Sequence, residues 1–206
     1  MKKALSIIIV LLGWFAIITQ FYLIIKNRQA SITETIIRYF SYFTILVNGL
    51  TALYFTREAL SKTSAHPIYP SRRSFPGLLT AITIYITIVG LTYQFLLRHT
   101  WNPKGMDMVV DELLHTIIPL LVILFWYLYN TRPTPHYRQI PKWLIFPVLY
   151  LIYTLIRGSA SDWYPYPFLN VDALGLAPVL TNMFFILLGG TLLSVLFVFL
   201  GKIIRK

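Results

Sequence analysis

The sequence predicts an all-α polytopic membrane protein. Residues 1–206 would form a single transmembrane domain, a six-helix bundle with both termini cytoplasmic. Three observations lead there. The chain is 57% hydrophobic and only 12% charged, with a mean hydropathy of +0.67, whereas soluble domains average about 25% charged residues. Six apolar runs approach or exceed the roughly 20 residues a helix needs to cross a bilayer. The 18 Lys and Arg residues, which give a net charge of +11, lie between those runs. That is the pattern of membrane topology, not of a nucleic-acid-binding face. There is no cysteine, which excludes disulfides, thiolate metal sites and cysteine nucleophiles.

The spans fall near 5–25, 37–56, 77–97, 112–130, 142–157 and 178–201. The first follows Met1-Lys2-Lys3, a start that a signal peptide would share. Its apolar stretch is too long for that role and no small-x-small cleavage site follows, so it reads as a span. Ser31-Ile32-Thr33-Glu34 before the second is a Ser-x-x-Glu capping box and marks a helix start. Asp111 and Glu112 open the fourth, where the helix dipole favours acids. The fifth is short and carries Pro141 and Pro147, which predicts a tilt or kink. Gly189-Gly190 in the sixth reads as a close-packing site. The loop 62–76, rich in Ser, Thr, Pro and Arg, reads as a cytoplasmic turn.

Positive charge sets the direction. With the N-terminus cytoplasmic, twelve of the 18 basic residues fall on the cytoplasmic side and six outside, as the positive-inside rule requires. Six of the seven acids then lie outside, which is supporting only. Trp143 marks the inner boundary; Trp101 and the stretch Trp163-Tyr164-Pro165-Tyr166-Pro167-Phe168 mark the outer one.

His115 is the one histidine inside an apolar run, and an ionisable group there reads as functional by default. At about 1.5 Å per residue, His115 is about one turn in from outside and Thr44 about 9 Å below the interfacial Arg38. Gln20, Gln94, Arg157 and Asn182 also fall toward outer ends, with Asn48 near the midplane. This bias predicts a polar pocket that opens outward. Ser41, Thr44, Asn48 and Thr51 share one helix face, which should point inward, leaving Phe43, Ile45, Leu46, Leu50 and Leu53 to lipid. Pro119, four residues after His115, frees the His115 carbonyl and should bend the helix just below it.

Each residue also has a structural role open to it. A membrane threonine commonly bonds its own i−4 carbonyl, and His115, Asn48 or Asn182 can tie helices together. Arg157 can snorkel to the interface. One in-span histidine without a second predicts no metal site. Phosphate loops, dinucleotide fingerprints and Gly-x-Ser-x-Gly elbows are absent, so no cofactor is expected.

Three stretches carry a resemblance: Ser41-Tyr42-Phe43-Thr44, His115-Thr116-Ile117-Ile118-Pro119 and Trp163-Tyr164-Pro165-Tyr166-Pro167-Phe168-Leu169. In order and span placement they resemble the androgen-induced-protein family of six-span membrane hydrolases, and more closely its short bacterial members. The resemblance implies an intramembrane threonine hydrolase of lipid esters, notably fatty-acid esters of hydroxy fatty acids, in a bacterial cytoplasmic membrane. Thr44 would be the nucleophile and His115 its base. The chain departs from the animal proteins in a proline one residue nearer the histidine, and in Asp111, where they tend to have another polar residue or His. Around that pair, Asp111 is the candidate to orient the ring. Asn48, Asn182, Gln94 or a tyrosine are candidates for the oxyanion, and Arg157 or Arg98 for a substrate carboxylate. The aromatic loop 159–176 is a candidate lid. The expected partner is a membrane lipid substrate, with no nucleic acid. The alternative is a non-catalytic transporter or lipid- or small-molecule-binding membrane protein.

Overall fold

Backbone polar groups in so apolar a chain have to be satisfied within the chain itself, and every regular element among the described residues is helical. The computed structural model describes residues 1–61, 77–130 and 135–204; the loop 62–76 therefore lies outside the described residues. The helices are α1 (Lys2–Lys26), α2 (Ile32–Ser41), α3 (Phe43–Leu60), α4 (Leu78–Thr92), α5 (Met106–Glu112), α6 (Ile118–Tyr129), α7 (Ile140–Ser161), α8 (Val171–Leu174) and α9 (Leu176–Ile203). A π-helical turn, Tyr93–Leu97, extends α4, and a second, Leu113–Ile117, joins α5 to α6.

Among the described residues, five continuous helices are long and apolar enough to cross a membrane, and a sixth span is reached if the bent pair α2–α3 counts as one. This corrects the expected second span, 37–56. It breaks at Tyr42, whose extended backbone (φ −79°, ψ 125°) turns the two helix axes 71° apart. Hydroxyl groups from elsewhere stabilise the break. Tyr150 donates to the Ser41 carbonyl at 3.0 Å, and the Thr44 N–H donates to the Tyr166 hydroxyl at 3.3 Å. The fifth span is not short either: with its leading turn it runs Tyr137–Ser161, 25 residues. Pro147 inside it cannot donate to the Trp143 carbonyl, and the Tyr85 hydroxyl of α4 takes that acceptor at 2.6 Å.

Of the capping box before α2, half is formed. The Ser31 hydroxyl accepts from the Glu34 N–H at 3.2 Å. The Glu34 carboxylate turns instead to Arg38 at 2.7 Å and to Arg157 at 2.5 Å, because a charged hydrogen bond is worth more than a neutral one.

The polar stripe of the second span faces inward: Ser41, Thr44, Asn48 and Thr51 are all buried. Leu50 and Leu53 are exposed, but Phe43 and Ile45 are buried rather than lipid-facing, since the break at Tyr42 rotates them into the bundle. Buried hydroxyls at Ser6, Thr51, Thr83, Thr154 and Ser194 bond back to their own i−4 carbonyls, the local solution available to Ser and Thr in an apolar helix. Large apolar side chains such as Leu11, Leu53, Leu120, Leu149 and Leu192 cover the outside.

Both ends of the chain lie at one end of the bundle. Lys2 pairs with Glu58 at 2.5 Å and lies over Phe125, while Trp126 stands edge-on to Phe197 and Lys202 lies over Tyr137. The opposite end gathers the starts of α3, α5 and α9, the ends of α1, α4 and α7, and the aromatic loop after α7.

Candidate active site

At the end of the bundle away from the termini, Thr44 is the second residue of α3, and its Oγ1 lies 3.4 Å from Nε2 of His115. Seventy-one residues separate the two in sequence. The π turn that holds His115 carries an extra residue relative to an α-turn, a feature frequent at functional sites. It swings the ring back over Asp111. His115 Nδ1 is 2.9 Å from the Asp111 carbonyl and 3.1 Å from its Oδ1. Both neighbours of Nδ1 are acceptors, so the imidazole proton sits there and Nε2 presents its lone pair to Thr44. Pro119 follows as the second residue of α6. Gly90 of α4 packs so closely here that a Cβ on it would lie 3.2 Å from the His115 carbonyl and 3.5 Å from Pro119.

Tyr93, absent from the candidates read from sequence, completes the arrangement. Its hydroxyl donates to Asp111 Oδ2, and its ring stacks on His115 with centroids 4.2 Å apart and planes 14° off parallel. One side chain therefore fixes the carboxylate and the imidazole together. Asp111 is buried and so is Thr44; the His115 side chain keeps 14% of its surface exposed.

Tyr166, from the aromatic loop, is the other residue not singled out individually. Its hydroxyl accepts from the Thr44 N–H and lies 3.4 Å from Thr44 Oγ1. Burial pushes its phenol above the usual range, so it keeps its proton and stays a donor. The first N–H groups of a helix have no intrahelical partner. That free N–H of Thr44 points at the Tyr166 oxygen, so both groups lie beside Thr44 Oγ1 and engage each other. Tyr42 touches both Trp163 and Tyr166 edge-on, and Arg38 lies 5.0 Å from the Trp163 ring centroid. Gly158 fixes the loop from below: a Cβ there would fall 1.9 Å from the Tyr164 ring, so no larger residue fits without displacing it.

The other candidates lie elsewhere. Asn48 donates to the Thr44 carbonyl at 2.9 Å and to the Leu114 carbonyl at 3.3 Å, so its amide protons tie α3 to the π turn and face no oxyanion. Asn182 donates to the Phe168 carbonyl at 2.8 Å, fastening the aromatic loop to α9. Gln94 donates to Thr116 at 2.8 Å and accepts from Arg98, linking the two π turns. Arg98 is paired with Glu112 and Arg157 with Glu34; neither is among the residues that line the cavity beside Thr44. The expected polar pocket is instead a mostly apolar one. It starts at Thr44, Phe43 and Tyr166 and runs between α4, α7 and α9 past Ile88, Leu144 and Gly190. Depth alone suggests polar lining, but Gln94 and Asn182 are taken by nearer partners, and Arg157 turns its Nη2 to Glu34 while its buried Nε has no hydrogen-bond partner. Among the described residues no group of three metal-ligating side chains converges.

No family model, curated protein or solved structure matches the chain. Chemically, the arrangement offers a hydroxyl, a ring nitrogen 3.4 Å from it, a carboxylate behind the ring, and a tyrosine hydroxyl beside the threonine. Such a set suits acyl transfer.

Proposed function

We propose that this chain is an intramembrane hydrolase of lipid esters, of the kind its resemblance to the androgen-induced-protein family implies. The observation that carries the reading is the chain Thr44 Oγ1, His115 Nε2, His115 Nδ1, Asp111 Oδ1, with steps of 3.4 Å and 3.1 Å. A threonine hydroxyl is a weak nucleophile until a base takes its proton. Here His115 Nε2 takes it as Thr44 Oγ1 attacks the ester carbonyl. The oxygen of the tetrahedral intermediate carries the negative charge and accepts from the Tyr166 O–H, and it takes the Thr44 N–H once that group leaves the Tyr166 oxygen it engages in the free protein. His115 then gives its proton to the departing alcohol, leaving an acyl ester on Thr44. Water enters, loses a proton to His115, and releases the acid and the free Thr44 hydroxyl. Asp111 holds the ring and stabilises the imidazolium in each half-reaction. A separation of 3.4 Å is long for a hydrogen bond, and catalytic pairs commonly tighten when substrate binds.

The site lies at the end of the bundle away from both termini. Under the positive-inside reading this end faces outward from a bacterial cytoplasmic membrane, with both termini cytoplasmic. Arg98 pairs with Glu112, Arg157 shares Glu34 with Arg38, and neither is among the residues that line the cavity beside Thr44, so no substrate carboxylate is assigned to them.

The test is activity-based labelling with a fluorophosphonate, together with hydrolysis of a long-chain ester by purified, folded protein. Thr44 should carry the label. Thr44→Ala and His115→Ala should each fall below about a thousandth of wild-type rate. Full activity in either variant overturns the mechanism. Lipid binding with neither labelling nor hydrolysis would favour the carrier reading.

A further inference from the structure

We infer that the apolar cavity beside Thr44 is the acyl-chain subsite and that Gly190 sets the length of chain it accepts, an inference that rests on the ester-hydrolase reading above. The cavity is polarised along its length. The polar residues of its lining, Thr44, Thr92, Tyr150 and Tyr166, gather toward the reactive end, Thr92 directly preceding the Tyr93 that stacks on His115, and no charged residue lines it. An ester carbonyl at Thr44 would therefore have an apolar lining along which to lay its hydrocarbon tail. That lining follows α7 downward from Tyr150, which lies level with the reactive end because its hydroxyl bonds the Ser41 carbonyl. Leu144 is six residues further along α7, or about 9 Å at the helical rise. An extended chain advances by somewhat less than one carbon–carbon bond of about 1.5 Å per carbon, so this depth holds roughly seven carbons.

Three helices meet at the far end. A Cβ on Gly190 of α9 would lie 3.3 Å from Ile88 Cδ1 of α4 and 3.9 Å from Leu144 Cδ2 of α7. A side chain at 190 therefore starts against Ile88 and Leu144, which line the cavity as Gly190 does. At the adjacent Gly189 a Cβ would meet nothing within 4 Å. The two neighbouring glycines thus form a matched pair, one at the floor of the cavity and one outside it.

The experiment compares full-length wild type, Gly190→Leu and Gly189→Leu in lipid nanodiscs, using p-nitrophenyl butanoate and octanoate. In parallel, a photoreactive diazirine fatty acid is crosslinked to each protein in a Thr44→Ala background and the adducts are mapped. Gly190→Leu should lower the octanoate-to-butanoate rate ratio at least tenfold while still taking the fluorophosphonate on Thr44. Gly189→Leu should leave the ratio within twofold of wild type. Crosslinks should fall on Ile88, Leu144 and Ile186 and be lost in Gly190→Leu. If Gly190→Leu does not fold, Ile88→Ala enlarges the same floor and should raise the relative rate on dodecanoate. Hydrolysis with a ratio indifferent to both substitutions overturns the subsite and leaves the hydrolase reading intact. Gly190-dependent crosslinking without hydrolysis by wild type supports the subsite and overturns the hydrolase reading.

Discussion

Replacing Asp111 by Asn isolates what its carboxylate contributes. In the proposed mechanism His115 becomes an imidazolium in the transition state, with Asp111 Oδ1 3.1 Å from Nδ1. Opposite unit charges at 3.1 Å attract by about 5 kcal/mol at an effective dielectric of about 20. Two features lower the loss. The Tyr93 hydroxyl already draws on the same carboxylate, and the Asn carbonyl retains a dipole directed at the ring. About 3 kcal/mol should remain, which is about a hundredfold in rate. Loss of the tautomer should not add to it. The Asp111 backbone carbonyl, at 2.9 Å, keeps Nδ1 protonated, and no side-chain substitution removes it. The expected cost is thus smaller than the roughly ten-thousandfold seen when a serine-protease aspartate is changed to asparagine. The assay is kcat on an ester substrate together with the rate of fluorophosphonate capture by Thr44; both should fall together. Glu112→Gln, which touches Arg98 and not the ring, is the matched control and should stay near wild type. An Asp111→Asn enzyme within twofold of wild type would refute the reasoning, because the carboxylate would then do nothing for the base.

Two other outcomes follow from the geometry. Tyr166→Phe removes one oxyanion donor and leaves the buried Thr44 N–H without its acceptor; kcat should drop by about a hundredfold or more with KM little changed, and an unchanged kcat would assign the oxyanion elsewhere. The cysteine-free chain also suits single-cysteine mapping. Lys104→Cys should react with a membrane-impermeant maleimide on intact cells and Lys3→Cys only after permeabilisation; the reverse pattern would invert the proposed orientation.

Much of the bundle was legible because hydropathy and span length are local properties of the sequence. The approach of Thr44 to His115 was legible for a related reason: each is a polar residue at a definable depth in a helix of known direction. The break at Tyr42 was not. Neither Tyr42 nor Phe43 is a glycine or proline, and the groups that stabilise the break, Tyr150 and Tyr166, lie more than a hundred residues away. The same limit hid Tyr166, the donor proposed for the oxyanion. Asn48 looked suitable by type, but its amide is spent on two carbonyls that only the fold brings near. Tyr93 sits directly before Gln94, a residue that did attract notice. Its position against Asp111 follows from two π turns facing each other, and hydrophobic periodicity carries no mark of a π turn.

The interruption between α2 and α3 has an electrostatic consequence. An 18-residue helix begins at the residue before Thr44, and the start of a helix carries roughly half a positive elementary charge. Lodging a lysine or arginine at that spot would incur the desolvation that makes ions rare among hydrocarbon chains. By severing one rod into two, the polypeptide creates a cationic pole out of amide groups alone, beside the oxygen where anionic character would build during attack.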